Sequence, residues 1–298
     1  MAAPIYSHRP SKQVSRLMLV ETLLRLGPIA APSGYQYVGF GALEFVDFDL
    51  IHRRLGVSTM FSIESDHRAI ARYEANRPYN GIRILTGRAT DQLATIDWKK
   101  LSIVWLDYTG MLNTEVIADV QHLCRELLPG SVLAVTLNAH PAKLAERRST
   151  LAAAVGDDRV PLGVTDATLG DWGTARTQYD ILTAIIRSTL ADRMDAATWR
   201  QILNINYRDN ARMQLVAGVV SGQALERTVD LCAFSDLDFV RGGSEPLMIE
   251  VPYLTPKERR SLNEQLPRAP RRRLTLPGVD KKEIDAYASV YRWFGTSA

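Results

Sequence analysis

Apolar residues follow two different spacings in this chain, and the spacing changes several times between residues 35 and 137. Short runs that are apolar throughout predict buried strands, and apolar positions three or four residues apart predict amphipathic helices. The predicted strands cover residues 35–40, 58–63, 82–85, 101–106 and 131–137. The predicted helices between them cover residues 42–55, 67–76 and 115–128. This alternation predicts a parallel sheet covered by helices on both faces.

Further elements flank this alternation on both sides. Helical spacing covers residues 11–26, with Ser11 as the candidate N-cap, and residues 178–194. Residues 214–220 and 247–254 have the pattern of two more strands, which we expect to form an antiparallel pair at one edge of the sheet. Two more helices are predicted over residues 255–266, capped by Thr255, and over residues 281–294. Residues 139–173 have no clear pattern.

Together these elements predict a Rossmann-like α/β fold: a doubly wound, mostly parallel sheet with a late antiparallel strand pair, an N-terminal helix and a C-terminal helical extension. A length of 298 residues fits one main core with additions at its ends. Residues 1–34 form an N-terminal helix and loop, with Lys12 and Arg16 on the predicted polar side, that could act as a lid or dock a partner. Residues 35–254 form the Rossmann-like domain, and residues 255–298 form a helical and basic extension.

Composition narrows the class of protein. Apolar residues make up 46% of the chain and charged residues 23%, as in typical globular proteins, and the net charge of +3 is too small to indicate a polyanion-binding protein. The two cysteines, Cys124 and Cys232, exclude a disulfide scaffold and a structural zinc site and favour a reducing cytoplasm. No stretch has the roughly 18–20 consecutive apolar residues that span a bilayer, and residues 1–10 lack the apolar centre of a signal peptide. We therefore expect a soluble protein without membrane contact.

Glycines mark the junction of the first predicted strand and helix, where the chain reads Gly39, Phe40, Gly41. Glycines there allow a tight turn and a close approach of the backbone to a ligand at the carboxyl ends of the strands. The full dinucleotide pattern Gly-x-Gly-x-x-Gly would need a small residue where Glu44 stands. The motif is therefore equally compatible with a ligand site and with a plain tight turn.

Acidic residues follow the second and fourth predicted strands. Glu64 stands roughly 20 residues after the glycines, where an acid can accept hydrogen bonds from ribose hydroxyls. Asp107 ends an apolar strand and is followed by Tyr108. Because an unpaired buried acid is costly, we expect Asp107 to lie at the open cleft, although a helix cap is the alternative. Strand, turn, helix, strand and acid in this order indicate an adenosine-containing ligand.

The order of these motifs resembles a known enzyme class. Gly-x-Gly, Glu64, Gly87-Arg88 and Asp107-Tyr108 on successive strands resemble the class I S-adenosylmethionine-dependent methyltransferases over about residues 35–138. Most of the chain is similar to a family of bacterial proteins labelled putative O-methyltransferases, through the segments Arg-Pro-Ser-Lys at 9–12, Gly-Phe-Gly at 39–41, Phe-Val-Asp-Phe at 45–48, Ser-Ile-Glu at 62–64 and Trp-Leu-Asp-Tyr at 105–108.

The resemblance implies S-adenosylmethionine as the cofactor and methyl transfer to an unidentified acceptor, with oxygen as the expected acceptor atom. The cofactor-binding residues that it implies are Gly39, Phe40, Gly41, Glu64, Ser65, Gly87, Arg88, Ala89 and Asp107. The candidate catalytic residues are Asp107, Tyr108 and His140, the last of which could equally be an exposed loop residue.

Two departures from the family pattern keep a second hypothesis open. Tyr37 stands where many members have an acid before the first glycine, and Leu43 stands where they have the third glycine. A catalytically silent subunit of a multi-component assembly, which could handle nucleic acid, is therefore the alternative. A nicotinamide-dependent oxidoreductase is a third possibility, but it would usually have the fuller glycine pattern.

The acceptor and partners are less well defined. The chain lacks both the Pro-Pro motif of base amino-methylation and a Cys nucleophile after Pro. Asp107 and Asn138 could supply two oxygen ligands to a cation, but Leu137 occupies the third position, so we predict no metal. Arg271, Arg272 and Arg273 could contact the phosphates of a nucleic acid, with a solvated linker as the alternative, and the N-terminal or C-terminal helix could bind a protein partner.

Overall fold

The structure is a computed structural model that describes residues 9–267 and 273–294. Its central feature is one eight-stranded sheet with the strand order β3-β2-β1-β4-β5-β7-β6-β8. Strands β1 to β5 pair in parallel, and β7 runs antiparallel to both β5 and β6. The strands are β1 Gln36–Gly39, β2 Thr59–Glu64, β3 Ile82–Thr86, β4 Ser102–Asp107, β5 Val132–Asn138, β6 Thr198–Arg208, β7 Arg212–Ser221 and β8 Leu247–Ile249.

Ten α-helices lie within the described residues. They are α1 Pro10–Leu23, α2 Val46–Leu55, α3 Ile70–Asn76, α4 Ala89–Leu93, α5 Thr114–Glu126, α6 Arg147–Val155, α7 Gly173–Ala191, α8 Glu226–Leu231, α9 Pro256–Asn263 and α10 Lys281–Val290. In this part of the chain no helix combines the length and apolarity needed to cross a membrane.

Both faces of the sheet are buried, as the uninterrupted apolar strands predict. Along β4, Ile103 and Trp105 contact the apolar cluster that contains α1 and α2, whereas Val104 and Leu106 contact the cluster that contains α5 and α7. Side chains alternate between the two faces of a strand, so a strand covered on both sides must be apolar at every position. The predicted doubly wound α/β fold is confirmed.

The predicted antiparallel pair is confirmed, but one of its members was wrongly assigned. Strand β7 pairs antiparallel with β6, which the sequence pattern did not reveal, while the expected strand over 247–254 is only Leu247–Ile249 and pairs parallel with β6. Polar residues interrupt the apolar pattern of β6. Two of them bond to distant elements: Gln201 accepts a hydrogen bond from Tyr179 at 2.9 Å, and Asn204 donates to the carbonyl of Ser244 at 2.9 Å.

Helix α2 begins at Val46, four residues later than its apolar spacing predicts. Ala42 and Phe45 have positive φ values of 50° and 48°. A right-handed helix does not contain such residues, so α2 can begin only after Phe45. The backbone N–H groups of Gly41 and Ala42 donate to the Glu64 carboxylate at 2.9 and 3.0 Å. The segment between β1 and α2 is therefore a loop held by an acid from the next strand. The sequence also gave no sign of α4 or α6.

Helix α1 is part of the main core. Val14, Met18 and Leu23 are buried in the same apolar cluster as α2, and Lys12 and Arg16, expected on a polar face, are buried as well. The expectation that residues 1–34 act as a lid or dock a partner stays a prediction, although this face of α1 already packs against the rest of the core.

The cap of α1 comes from a distant turn. The Asp209 carboxylate, between β6 and β7, accepts hydrogen bonds from the backbone N–H groups of Ser11 and Lys12, both at 3.0 Å. The Ser11 hydroxyl, predicted to cap the helix, instead donates to the carbonyl of Arg208 at 3.1 Å. An anion at a helix N-terminus satisfies unpaired donors and complements the helix dipole. Asp209 thus fixes the position at which α1 enters the fold.

The C-terminal extension has a small apolar cluster of its own, which includes Leu262, Ile284 and Tyr287. Helix α9 begins with the predicted capping box, in which Thr255 and Glu258 exchange hydrogen bonds. Of the predicted basic run, Arg271 and Arg272 lie outside the described residues and Arg273 is exposed. The domain boundaries at residues 34 and 254 remain predictions.

Replacing Asp209 with Ala should destabilise the protein by about 0.5–2 kcal/mol, the usual cost of losing a helix N-cap. Urea unfolding measures this, with exposed Asp238→Ala as the control for loss of a carboxylate. Asp209→Asn, which keeps one acceptor oxygen, should fall between the two. Equal unfolding midpoints for Asp209→Ala and Asp238→Ala would show that the cap contributes nothing.

Candidate functional site

A cavity of about 560 Å³ lies at the carboxyl ends of the parallel strands. This volume falls within the range of roughly 300–1,000 Å³ that is usual for small-molecule sites. Eight of the residues predicted from the sequence line it, namely Phe40, Glu64, Ser65, Gly87, Arg88, Ala89, Asp107 and Tyr108. Three others, Gly39, Gly41 and His140, are not among the lining residues.

Glu64 has two functions at the floor of this cavity. Its Oε1 atom accepts hydrogen bonds from the backbone N–H of Gly41, the backbone N–H of Ala42 and the hydroxyl of Ser62, at 2.9, 3.0 and 2.7 Å. Burial raises the pKa of Glu64, while these three donors act in the opposite direction. With Oε1 engaged, Oε2 is the atom that a ligand hydroxyl would contact. One carboxylate therefore holds the glycine loop and faces the cavity.

The glycines of the loop are required by the protein itself. A Cβ atom on Gly41 would lie 2.5 Å from Oγ of Ser62 and 2.6 Å from the ring of Phe45. A Cβ atom on Gly39 would lie 2.8 Å from the hydroxyl of Tyr37 and 3.0 Å from the carbonyl oxygen of Trp105. These contacts are closer than real Cβ atoms tolerate. The two glycines thus permit close packing behind the cavity, and Phe40 and Ala42 are the loop residues that line it.

Helix α1 supplies a cation to the cavity. Nζ of Lys12 lies 2.5 Å from Oδ2 of Asp107, and the two side chains are only 7% and 12% exposed. The other carboxylate oxygen of Asp107, Oδ1, is buried and has no hydrogen-bond partner among the described residues. A buried acceptor without a donor is energetically unfavourable, which makes Oδ1 a candidate contact for a ligand donor.

A second buried ion pair lies one helical turn along α1. Nε of Arg16 lies 2.5 Å from Oδ1 of Asp47 in α2. Burial raises the pKa of Asp47, and the positive charge of Arg16 acts to lower it. Lys12 and Arg16 are four residues apart, so both point from the same face of α1. Two acids of the α/β core are thus neutralised by one helix.

Tyr108 forms part of the cavity wall through a hydrogen bond to helix α5. Its hydroxyl donates to Oδ2 of Asp119 at 2.6 Å, and Thr90 donates to Oδ1 at 2.7 Å. Burial and the adjacent Asp119 carboxylate raise the pKa of Tyr108. The Tyr108 ring packs edge-on against Phe40, with 5.2 Å between centroids. These contacts fix the Tyr108 side chain and keep its hydroxyl protonated, which does not favour its predicted catalytic role.

The remaining predicted residues differ in position. Arg88 is exposed at the rim, with its side chain 3.5 Å from Asp91 and 3.6 Å from Glu115. His140 is exposed, its backbone N–H donates to Oδ1 of Asn138 at 2.8 Å, and it does not line the cavity. The catalytic assignment of His140 stays a prediction that its position does not favour.

Sequence patterns did not identify several residues of the cavity. Lys12 and Arg9 precede the α/β alternation, Asp119 lies inside a helix, and Ala211 and Met213 come from the β6–β7 hairpin. The available signals were the Arg-Pro-Ser-Lys segment at residues 9–12, which the family resemblance includes, and the spacing of Lys12 and Arg16 on α1, which equally fits a solvent-exposed face. Among residues 9–267 and 273–294, no cluster of three or more His, Cys, Asp or Glu side chains could hold a metal ion.

Tyr108→Phe should destabilise the protein by about 1–3 kcal/mol, because buried Asp119 would lose a donor. Urea unfolding tests this, with Tyr253→Phe as the matched control, since Tyr253 is 93% exposed. A Tyr108→Phe midpoint within error of the Tyr253→Phe midpoint would mean that the hydrogen bond to Asp119 is not formed in solution.

Solved structures with a similar arrangement share little sequence with this chain. The complex of Trm1 from Pyrococcus horikoshii with S-adenosyl-L-methionine has a TM-score of 0.49 and 15% identity, over 77% of this chain and 60% of that one. The O-methyltransferase TomG from Streptomyces achromogenes has a TM-score of 0.41 and 17% identity, over 69% of this chain and 79% of that one. The chain thus spans less than two thirds of the length of Trm1.

A search of curated protein sequences found no significant match. A family model described as "Putative O-methyltransferase" matches residues 4–296, which is nearly the whole chain. The motifs that suggested a methyltransferase therefore belong to a continuous family match and are not isolated coincidences. The chain belongs to this methyltransferase family, which confirms the predicted resemblance to S-adenosylmethionine-dependent methyltransferases.

Proposed function

We propose that this protein transfers the methyl group of S-adenosylmethionine to an oxygen atom of an acceptor, and that the cavity at the strand ends binds the cofactor. The observation that carries the proposal is that a single cavity is lined by Glu64 after β2, by Gly87 and Ala89 after β3, and by Asp107 after β4. S-adenosylmethionine would supply an activated methyl group on a sulfonium ion.

The side chains around the cavity suit a ligand of this kind. Glu64 would accept a hydrogen bond from a ribose hydroxyl through Oε2, the oxygen that the glycine loop does not use. Ile63, Ala89 and Val116 give apolar surface for an adenine ring between β2, α4 and α5. Buried Oδ1 of Asp107 requires a donor that no described residue supplies. These features favour a nucleoside ligand with a polar tail.

The same loop argues against a nicotinamide dinucleotide. In dinucleotide-binding folds the pyrophosphate contacts backbone N–H groups at the start of the first helix. Here the N–H groups of Gly41 and Ala42 already donate to the Glu64 carboxylate. A pyrophosphate at this position would have to displace that carboxylate and would meet its negative charge.

The acceptor would approach beside Asn138, Ala211 and Met213, which line the cavity next to the β4 end. An oxygen acceptor must lose a proton during or before methyl transfer. Of the three candidate catalytic residues, Asp107 and Tyr108 line the cavity, and His140 is not among the lining residues. Tyr108 would act by shaping the wall, because its hydroxyl is already bonded to Asp119.

The proposal also includes the cellular compartment and the binding partners of the protein. Cys124 and Cys232 are both free and buried, which supports work in a reducing cytoplasm, as expected for a bacterial enzyme of this family. Contact with nucleic acid through Arg271–Arg273 remains a prediction, for which exposed Arg273 is the single described residue.

Isothermal titration calorimetry with S-adenosylmethionine, S-adenosylhomocysteine and NADH tests the proposal. Binding of the first two ligands and not of NADH is expected. If neither of the first two binds a folded protein, the cofactor assignment fails, and the silent-subunit hypothesis becomes the better account of the chain.

Glu64→Gln should weaken S-adenosylmethionine binding by about 10- to 100-fold, corresponding to roughly 1–3 kcal/mol for an unpaired polar group. The amide oxygen can replace Oε1 toward the glycine loop, so the variant should fold, but its NH₂ group cannot accept from a ribose hydroxyl. Glu74→Gln on the exposed face of α3 makes the same chemical change outside the cavity. Equal affinities of the two variants would exclude Glu64 as a ribose ligand.

Binding should also depend on pH through Glu64. Because burial raises its pKa above the ordinary value of 4.5, the carboxylate becomes protonated at a higher pH than an exposed glutamate. Affinity should be full above the raised pKa and should fall as the pH drops through it. In Glu64→Gln this component should be absent, so the ratio of the two affinities, measured by calorimetry, should approach one on acidification. A ratio independent of pH would contradict this.

A further inference from the structure

The Lys12–Asp107 ion pair lies outside the part of the cavity assigned to adenosine. The strand order β3, β2, β1, β4 places Gly87, Glu64, Phe40 and Asp107 in a row along the cavity. An adenosine group at Gly87 and Glu64 therefore leaves the β4 end for the rest of the ligand. Lys12 and Asp107 lie there, 2.5 Å apart and almost fully buried.

We propose that this ion pair binds the amino-acid end of the cofactor, with Lys12 contacting the α-carboxylate and Oδ1 of Asp107 accepting a hydrogen bond from the α-ammonium group. The inference rests on the proposed function and adds to it a binding site composed of α1 and β4. It makes Lys12 a cofactor-binding residue, although it lies before the α/β alternation.

Charge complementarity carries the first step. An amino-acid end has a carboxylate and an ammonium group on the same carbon, and the protein presents a cation and a carboxylate side by side. Two such pairs in opposite orientation leave no net charge in the cavity, whereas a single buried charge would be uncompensated. An ammonium group has three N–H donors, so Lys12 can contact a ligand carboxylate while it stays paired with Asp107.

The unpartnered Oδ1 atom of Asp107 carries the second step. Asp119 is bonded to Tyr108 and Thr90, and Glu115 is exposed beside Arg88 at the opposite rim. Oδ1 of Asp107, in contrast, is buried without a donor among the described residues. At this end of the cavity Asp107 is therefore the acid suited to receive an ammonium group.

The third argument is that α1 is anchored at its N-terminus, next to Lys12. Lys12 can serve as a ligand only if its backbone is fixed, and the Asp209 carboxylate holds the N–H groups of Ser11 and Lys12 at 3.0 Å. Because Asp209 satisfies these backbone donors, the ligand carboxylate would contact the Lys12 side chain. Arg9, which also lines the cavity, adds positive charge on the same side.

The experiment compares three ligands by calorimetry: S-adenosylhomocysteine, its decarboxylated analogue and 5′-methylthioadenosine, which lacks the whole amino-acid end. The unaltered protein should bind S-adenosylhomocysteine about 10- to 100-fold more tightly than 5′-methylthioadenosine, as charge-assisted hydrogen bonds would give. In Lys12→Met the advantage of S-adenosylhomocysteine over the decarboxylated analogue should disappear, while affinity for 5′-methylthioadenosine stays the same.

Asp107→Asn should reduce the advantage of the decarboxylated analogue over 5′-methylthioadenosine. Lys99→Met, at an exposed lysine, is the control and should leave every ratio unchanged. If Lys12→Met unfolds because Asp107 is left unpaired, the double variant Lys12→Met/Asp107→Leu replaces the pair with apolar groups, and it should bind all three ligands equally.

Two results would overturn the inference. One is a folded Lys12→Met or double variant that keeps the full preference for S-adenosylhomocysteine. The ion pair would then not bind the amino-acid end of the cofactor, and its role would be in acceptor binding or in protein stability alone. The other is equal binding of all three ligands by the unaltered protein, which would show that the amino-acid end is not recognised. The assignment of the cavity to the adenosine group would not be affected. Failure of all three to bind would instead reject the proposed function itself.

Discussion

Two buried ion pairs, Lys12 with Asp107 and Arg16 with Asp47, join the first helix to β4 and to α2. Removing one partner of such a pair leaves a charge in a medium that solvates it poorly, at a cost of several kcal/mol. The acids at the β4 end and in α2 therefore depend on α1 lying where it does. The cavity wall at this end and the orientation of Asp107 follow from this constraint, and the Asp209 cap holds the same helix at the β6–β7 turn.

Glu64 couples the shape of the site to its chemistry. The same carboxylate that faces the cavity holds the loop in which Ala42 and Phe45 adopt left-handed conformations. A ligand that attracts this carboxylate would thus pull on the loop, and a change in the loop would move the carboxylate. Glu64 is therefore both a structural and a functional residue, because one of its carboxylate oxygens holds the loop and the other is left for a ligand.

The sequence was sufficient for features that depend on local pattern and on general rules of topology. Apolar runs separated by helices predict a parallel sheet, and parallel strands end at one edge, so Glu64 and Asp107 could be placed in one cleft. It was insufficient where distant contacts decide the outcome. Strand β6 has polar residues that find partners on other elements, and Lys12 is buried because Asp107, 95 positions later, needs a cation. Neither partner is visible in a local window.

The cap of α1 has a consequence for how the chain acquires its structure. Ser11 and Asp209 are separated by 198 positions, yet they share a hydrogen bond. At ribosomal rates of about 5–20 residues per second, α1 is made on the order of 10–40 s before the turn that caps it. A nascent chain with its first five parallel strands can form most of the sheet, but the helix at the cavity wall lacks its anchor until the final hairpin emerges. The ligand site is thus among the last parts of the protein to become complete during synthesis.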